Sequence, residues 1–251
     1  MTLLSDPIAL ALACLAVVIV GLAKGGFSGV GALSTPLLAL AMPPATAAAL
    51  LLPVLLVQDV VSVWAFRKTW NGWIVAWMLP GAAVGVAAGS AFSAHADEDK
   101  LLLTLGIITL LFGLYRLWVE RGGRIVAASK SPGWVGSLFG VAMGLTSQIA
   151  HAGGPPFQMW VTPRRLDHQT FVGTSSITFA AVNWMKVPSY IELGTLNHET
   201  LMAGALLLPL AIVSTLAAVR IIRRLHSARF YTIVYWLMVA LGAKLIWDGV
   251  A

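Results

Sequence analysis

Long runs of hydrophobic residues, separated by short polar loops, extend along the whole chain. Ten runs can be recognised, at about 7–24, 28–42, 46–66, 72–94, 100–119, 133–150, 154–162, 169–187, 199–222 and 229–248. A membrane-spanning α-helix requires about 20 consecutive apolar residues, and spans of that length recur here. The pattern predicts an all-α integral membrane protein, and no soluble domain fits between the runs.

Two of these apolar regions are interrupted by glycine, proline and polar residues. The interruptions are GLAKGGFSGVGALSTP at 21–36 and TSQIAHAGGPP at 146–156. Unpaired backbone groups are costly in hydrocarbon, so irregular backbone survives there only where protein or water satisfies it. We therefore expect two bends that are buried or line a polar cavity. Close helix packing through small residues is the alternative, and it is our interpretation of GAAVG at 81–85 and GVAAGSAF at 85–92.

The two halves of the chain resemble each other. An offset of 119 residues aligns Gly21 with Gly140, Gly25 with Gly144, Ser28 with Ser147, Pro36 with Pro155 and Pro44 with Pro163. Both halves share the order of glycine-rich bend, proline and second proline. We therefore predict a first membrane repeat at 1–120, a cytoplasmic linker at 121–132 and a second membrane repeat at 133–251.

Lysine and arginine are concentrated in particular loops, which predicts the orientation of the chain. The basic loops contain Arg67 and Lys68; Arg116, Arg121, Arg124 and Lys130; Arg164 and Arg165; and Arg220, Arg223, Arg224 and Arg229. If all of these loops are cytoplasmic, segment 133–162 enters and leaves by one face and segment 7–42 by the other. The prediction is two inverted repeats, each a helical hairpin or broken helix plus three transmembrane helices. The competing topology has eight crossings and parallel halves.

The composition excludes several other classes of protein. Of 251 residues, 59% are hydrophobic and 10% are charged, whereas a soluble domain carries about 25% charged residues. The net charge of +6 lies in loop clusters, so it reflects topology and not nucleic-acid binding. Cys14 is the single cysteine, and there is no Cys/His cluster with zinc spacing, so neither a metal nor a cofactor is expected. The N-terminal run lacks a basic region and a cleavage site, and we interpret it as the first membrane element.

A small anion is the ligand that two such bends favour. A helix that begins at mid-membrane presents unpaired N–H groups and the positive end of its dipole, which together bind anions. The candidate substrate-binding residues are Lys24, Gly25, Gly26, Ser28, Ser34, Thr35, Gln148, His151, Gly153, Gly154, Thr174 and Ser175. This interpretation places the bends at the midplane and builds the site from backbone and neutral groups more than from charge.

Few ionisable residues lie deep in the apolar runs, and each has two interpretations. Lys24 attracts an anion or snorkels to the interface. Asp59 pairs with Lys24 or carries a proton, and His151 carries a proton or hydrogen-bonds freed carbonyls. These two residues are the candidates for coupling. Lys186 and Lys244 are interpreted as snorkelling residues, and the tryptophans as interfacial belts.

The sequence resembles the TauE/SafE sulfite exporter family, also called the toluene sulfonate uptake permease group. The resemblance lies in GLAKGGFSGVGALSTPLLAL, in SLFGVAMGLTSQIAHAGGPPFQMW and in FVGTSSITFAAVN, and it covers almost the whole chain. It implies a secondary carrier that moves sulfur-containing oxyanions, such as sulfite or organosulfonates, across the bacterial inner membrane.

Together these observations predict a secondary transporter and not an enzyme, in a multi-pass bacterial inner-membrane protein. We expect export of a small sulfur-containing oxyanion from a midplane site between the two bends, with proton coupling through Asp59 or His151. No Walker A sequence is present, so ATP is not expected to drive transport. A passive anion channel and a carrier for small carboxylates remain the alternatives. The expected partners are the anion, the lipid bilayer and, as an open option, a second copy in a homodimer.

Overall fold

The structure is a computed structural model that describes residues 6–25, 29–123, 128–221 and 228–251. Gly26 and Ser28, two of the predicted site residues, lie outside the described residues. Within the described ranges the regular structure is entirely helical, as predicted. The α-helices are α1 Pro7–Lys24, α2 Ser34–Leu38, α3 Pro44–Phe66, α4 Gly72–His95, α5 Glu98–Glu120, α6 Gly133–Ala150, α7 Gly154–Val161, α8 His168–Glu192, α9 His198–Ile221 and α10 Ala228–Asp248. Two 3₁₀ segments, Val30–Leu33 and Thr162–Arg164, join them.

The outer surface of the helices is apolar, as a lipid-facing surface must be. Five described helices are long and apolar enough to cross a membrane: α1, α3, α4, α5 and, over His198–Arg220, α9. Large hydrophobic side chains are exposed along the bundle, among them Val60, Trp64, Val84, Leu138, Val213 and Trp247. A soluble protein rarely exposes so much contiguous apolar surface. The chain is therefore a multi-pass membrane protein.

Capping residues explain where several helices begin. A side-chain oxygen of Asp6, Asn71, Asp97 or Asp167 accepts a hydrogen bond from a backbone N–H in the first turn of α1, α4, α5 or α8, respectively. Such caps satisfy donors that have no partner within the helix. In α1 and α3 a proline occupies the first helical position, where its missing N–H is no loss. Capping residues, as well as the length of the apolar runs, thus determine where these long helices begin.

Glycines let three pairs of helices approach to backbone contact. A Cβ at Gly81 or Gly85 of α4 would lie about 2 Å from a carbonyl oxygen of α6. Gly21 and Gly25 play the same part between α1 and α9, and Gly106 between α5 and α10. The packing interpretation of GAAVG is therefore confirmed. The same contacts show that the first bend also contains packing glycines.

Helices α6 and α7 form a hairpin whose two ends meet. Near the end of α7, Trp160 Nε1 donates to Ser131 Oγ at 3.1 Å, just before α6 begins. Arg164 donates to the carbonyl oxygens of Ser129 and Ser131 and lies over the Trp160 ring. The segment from 131 to 164 therefore returns to the end at which it started.

The core fills the spaces between the hairpins and the long helices. One buried cluster joins α1, α2, α3 and α9, and another joins α4, α6, α7 and α8. A further cluster packs α5 and α10 against both interrupted segments, through Val30 and Leu33 of the first and Ala150 and Ala152 of the second. This packing brings the two interruptions together inside the protein.

Candidate functional site

The two interrupted segments line one partly open cavity between them. Its volume is about 90 Å³, which suits a small ion better than the drug-sized ligands that fill pockets of roughly 300–1,000 Å³. A Cβ on Gly154 would lie 3.8 Å from the Cα of Gly29, so the two turns are nearly in contact. The lining includes Lys24, Gly29, Gly31, Ser34, Ser147, His151, Gly154, Phe157, Gln158, Ser175, Ser176, Phe179 and Asn183.

Lys24 forms an ion pair with Asp59 beside the cavity. The Lys24 Nζ contacts Asp59 Oδ1, and the other carboxylate oxygen accepts a hydrogen bond from Asn183 Nδ2 at 2.6 Å. The Lys24 side chain retains 10% exposure, whereas that of Asp59 retains 2%. Lys24 therefore presents a positive group to the cavity while Asp59 lies behind it. Lys24 does not snorkel, and its predicted pairing with Asp59 is present.

Lys186 is the residue that the sequence interpretation placed wrongly. It is fully buried, not snorkelling, because α8 continues beyond it to Glu192 and the side chain points into the protein. Its Nζ lies 2.6 Å from His151 Nδ1 and 3.2 Å from both the carbonyl oxygen and Oγ of Ser147. A second amine thus lies directly behind the polar lining.

The contacts of His151 assign its tautomer. His151 Nε2 lies 2.8 Å from the carbonyl oxygen of Ala48, which can only accept, so Nε2 carries the proton. Nδ1 is then free to accept from the Lys186 amine. A neutral imidazole with its proton on Nε2 therefore satisfies both the carbonyl and the amine. His151 has a φ of 51°, a left-handed conformation that ends α6 and starts the turn.

The first turn differs from its predicted form. Helical structure resumes at Val30 as a 3₁₀ segment after Gly29, whose φ of 90° suits glycine. The Ser34 hydroxyl lines the cavity but donates to the Gly31 carbonyl at 2.6 Å. Thr35 is buried away from the cavity, and its hydroxyl has no hydrogen-bond partner among the described residues. The α-helix α2 thus begins at Ser34, and the 3₁₀ segment that precedes it brings Gly29 and Gly31 to the cavity.

The second turn offers fewer backbone donors than predicted. Helix α7 begins at Gly154, and the prolines at 155 and 156 have no N–H. The Phe157 N–H already bonds to the Gly153 carbonyl at 3.3 Å. Gly154 lines the cavity, so its backbone amide is the donor at the start of α7 that lies nearest to the cavity. The positive character of the site consequently rests on lysine side chains more than on backbone.

Some predicted site residues lie next to the cavity without lining it. Gly25 packs against Ala218, and Gly153 packs against Met143 and Phe179. The Thr174 hydroxyl donates to the Thr170 carbonyl and accepts from the Asn71 N–H. These residues shape the surrounding helices. Ser175, the predicted serine on α8, does line the cavity.

A second, smaller cavity lies beyond Gln148. Its volume is about 30 Å³, and it is bordered by Pro44, Ala48, Ser93, Leu101, Gln148, Tyr190 and Thr195. Between the two cavities stands a layer that we call the polar wall, formed by Gln148, His151, Ser189 and Tyr190. Gln148 Nε2 donates to Ser189 Oγ at 2.8 Å, and Tyr190 Oη donates to the Gln148 carbonyl at 2.7 Å. The Tyr190 ring stacks on that of His151 with centroids 6.2 Å apart.

Arg116 lies on the other side of the first cavity. The sequence interpretation grouped Arg116 with the basic loop residues around the linker. In the structure α5 extends to Glu120, so Arg116 lies on the helix and inside the bundle. Its guanidinium donates to Gln158 Oε1 at 2.7 Å and to the Tyr235 hydroxyl. Gln158 lines the cavity, so Arg116 adds positive charge near it.

The site therefore combines amines with aromatic rings. Lys24 lies in the lining and Lys186 behind it, and the Asp59 carboxylate offsets the charge of Lys24. Phe157, Phe171 and Phe179 also line the cavity, and Lys24 Nζ lies over the Phe179 ring. The residues that sequence reasoning missed are Asn183, Lys186, Arg116, Gln158 and Ser176. Asn183 and Ser176 carried a signal, since they belong to the polar stretch FVGTSSITFAAVN.

Comparison with known proteins gives a family match over most of the chain. The family model described as "Sulfite exporter TauE/SafE" matches residues 13–245. Searches of curated proteins and of solved structures returned no significant match. The matched range includes both interrupted segments, both lysines of the site and the polar wall.

Proposed function

The chain belongs to the TauE/SafE sulfite exporter family, and from this premise we propose that it is a secondary transporter that exports a small sulfur-containing oxyanion. The family is one of transporters and not of enzymes. The substrate binds in the cavity between the two interrupted segments, near the midplane of the bacterial inner membrane. The anion contacts Lys24 on one side and the Gly154 amide and the serine hydroxyls on the other.

One observation carries this proposal: a partly open cavity of about 90 Å³ inside the bundle has a partly exposed lysine in its lining and a second lysine directly behind it. A buried lysine in a membrane protein is costly, and it usually faces a cavity or a partner of opposite charge. Lys24 has such a partner in Asp59, but the described contacts of Lys186 are all with neutral groups. The site is therefore suited to receive a negative charge.

The shape of the cavity favours an organosulfonate slightly over sulfite. Three phenylalanine rings border it, and Lys24 Nζ lies over one of them, Phe179, at 5.7 Å from the ring centroid. A short organosulfonate has one charged end for Lys24 and one apolar end for these rings, whereas sulfite would leave the aromatic surface unused. A small carboxylate has the same two ends, so carboxylates remain the second candidate class for the substrate.

Packing supports the inverted-repeat arrangement as part of the proposal. Helix α4 packs on α6, and their counterparts α9 and α1 pack on each other. Likewise α3 packs on its counterpart α8, and α5 on its counterpart α10. Such exchange of equivalent contacts is expected of two repeats related by a two-fold axis, whether that axis lies in the membrane plane or along its normal. The returning hairpin of α6 and α7 agrees with a segment that enters and leaves by one face.

The polar wall favours a carrier over a passive channel. A channel needs a continuous open route, whereas the described residues place hydrogen-bonded side chains between the two cavities. We propose that the first cavity opens toward the cytoplasm and the second toward the periplasm. Movement of one repeat against the other would then open the polar wall and close the cytoplasmic side.

Ligand-induced thermal stabilisation of the purified protein tests the substrate. Sulfite, thiosulfate, sulfoacetate, taurine and simple carboxylates are added separately while unfolding is followed. A ligand at about 100 times its Kd stabilises the folded state by about 2.7 kcal/mol. We expect a sulfonate or sulfite to raise the melting temperature of the wild type and of Lys244→Gln. Lys24→Gln should show no such shift.

The outcomes separate the alternatives. Stabilisation by carboxylates alone would replace the sulfur oxyanion as substrate, and stabilisation by none of the anions would contradict the proposal. Counterflow in proteoliposomes distinguishes a carrier from a channel. A carrier shows faster uptake when the opposite side is loaded with substrate, and a channel does not.

A further inference from the structure

The structure points to Lys186 and His151 as the site of the coupling proton, and we propose that the pair takes up one proton each time an anion occupies the cavity. This inference rests on the proposed function and names a regulation of the same site. It follows from the hydrogen-bond partners of the Lys186 amine, from its burial and from the position of Ser147 between the amine and the cavity.

The partners of Lys186 satisfy both protonation states of the amine. A protonated amine has three N–H donors, and the Ser147 carbonyl, the Ser147 hydroxyl and His151 Nδ1 can accept all three. A neutral amine has two donors and one lone pair. It donates to the carbonyl and to Nδ1, and the Ser147 hydroxyl reverses and donates to the lone pair. One set of side chains thus holds the amine with or without the proton.

Ser147 connects this change to the cavity. Ser147 lines the cavity, and its hydroxyl contacts the Lys186 amine. When the amine is protonated, Ser147 Oγ accepts from it and its own proton is free to donate to an anion. When the amine is neutral, the hydroxyl proton is used by the amine and is lost to the anion. Anion binding and protonation of the amine therefore favour each other.

One additional negative charge would balance a protonated Lys186 amine. Lys24 and Asp59 are the nearest charged groups from α1 and α3, and they neutralise each other. Tyr190 of α8 stacks on His151, and among the described residues α4 and α6 bring no carboxylate into contact with Lys186. A buried charge requires compensation. An anion in the cavity supplies that compensation for the protonated amine.

The proton reaches the pair from water in the cavity, and no bond other than those to hydrogen changes. The two ring nitrogens of His151 face the Ala48 carbonyl and the Lys186 amine. The proton therefore passes through the Ser147 hydroxyl, which takes a proton from cavity water as it gives its own to the amine. A monoanionic sulfonate and its proton then cross as an electrically neutral pair. For a monoanion, net transport would follow the sum of the proton and substrate gradients and would not respond to the membrane potential. Export then requires an outward substrate gradient that exceeds the inward proton gradient.

Proton uptake on binding is measured by isothermal titration calorimetry in two buffers of different ionisation enthalpy. The probes are methanesulfonate and sulfoacetate, whose sulfonate groups stay ionised at neutral pH. The wild type and the control Lys244→Gln should take up about one proton per bound anion at neutral and mildly alkaline pH. Affinity should fall about tenfold per pH unit where the free pair is deprotonated, because a proton is bound together with the anion.

Variants locate the proton. Lys186→Met should take up no proton, and the affinity of any binding that remains should no longer depend on pH. Lys186→Arg keeps the charge but cannot release a proton, so it should bind the probe without proton uptake. Asp59→Asn should keep the uptake, because Asp59 is not the group that titrates.

Each outcome decides a separate question. If neither probe nor sulfite binds the wild type, the proposed function fails and this inference with it. If a probe binds and the wild type takes up no proton, this inference fails and the transporter proposal stands. Uptake that persists in Lys186→Met, or that disappears in Asp59→Asn while binding remains, would assign the proton to another group. Wild-type calorimetry alone tests the inference if Lys186→Met does not fold.

Discussion

Asp59 is held by two side chains from different helices, and its removal leaves a buried cation without a counterion. Lys24 of α1 and Asn183 of α8 both contact its carboxylate. A buried ion pair adds little net stability, yet the loss of one partner is strongly destabilising because the remaining charge stays buried. The pair therefore matters for the charge balance of the cavity more than for holding α1 against α3.

Single and double substitutions at this pair should separate stability from binding. We expect Asp59→Asn to destabilise the folded state by about 3–5 kcal/mol, and the double variant Lys24→Gln/Asp59→Asn to recover most of that loss. The double variant should bind no anion, since it lacks the cavity lysine. Thermal melting in detergent with and without sulfoacetate measures both properties. A double variant that still binds sulfoacetate would remove Lys24 from the site.

Graded substitution at Gly154 tests whether the cavity is the substrate site. A Cβ there has open space, with its nearest atoms at 3.8 and 3.9 Å. Gly154→Ala should therefore insert, fold and transport at a rate close to that of the wild type. Gly154→Leu should fill the cavity and abolish transport while membrane insertion is retained. Flux in proteoliposomes and the amount of monomeric protein after purification are the measurements, and unchanged flux in Gly154→Leu would contradict the site.

The sequence predicted the positions of some site residues correctly and misplaced others, depending on where each lies in its apolar run. Lys24, Asp59 and His151 stood out because they interrupt apolar runs, and the structure brings all three to one region. Lys186 and Arg116 were misplaced because each was taken to lie at a helix end. Such long side chains reach the interface from a helix end, so a boundary error of a few residues reverses the interpretation. Hydrogen-bond partners such as Ala48 depend on tertiary packing and left no signal in the sequence.

At the scale of elements, run length predicted the long helices, and glycine spacing predicted that the helix containing GAAVG packs closely against a neighbour. The apolar runs at 72–94 and 100–119 correspond to α4 and α5 within a few residues. The partner of each helix was not predictable from the sequence, because an apolar surface is suited equally to lipid and to another helix. Backbone contact through Gly81 and Gly85 identifies α6 as the partner of α4.

A valine at Gly85 should disrupt that contact. Its Cβ would lie 2.1 Å from the Val141 carbonyl oxygen, which belongs to the backbone of α6 and cannot move aside. Overpacking of a well-packed site costs about 1–3 kcal/mol and occasionally more, so we expect a clear fall in melting temperature. Ala88→Val is the matched control, because Ala88 is exposed on the same helix. Equal melting temperatures for the two variants would show that the helices do not pack through Gly85.

At the scale of the whole molecule, the two cavities and the polar wall predict which residues a water-soluble reagent can reach from each side of the membrane. The lining of the first cavity includes Ser175 and Ser176, and that of the second includes Ser93 and Thr195. The described basic residues Arg67 and Lys68 follow α3, and Arg164 and Arg165 precede α8, whose first half lines the first cavity. The positive-inside rule therefore predicts that this end of the bundle faces the cytoplasm. The single cysteine, Cys14, can be replaced, so that one new thiol reports accessibility at a time.

In a Cys14→Ser background, Ser176→Cys should react with a membrane-impermeant thiol reagent from the cytoplasmic side, and Thr195→Cys from the periplasmic side. Inverted and right-side-out vesicles provide the two sides, and mass shift on a gel measures labelling. Because a carrier opens its two cavities in turn, a saturating sulfonate should change the labelling rate at Ser176→Cys. Thr69→Cys, in a loop outside both cavities, should label independently of substrate. Simultaneous, substrate-independent access to Ser176→Cys from both sides would mean that the polar wall does not close the route, and the protein would then act as a channel.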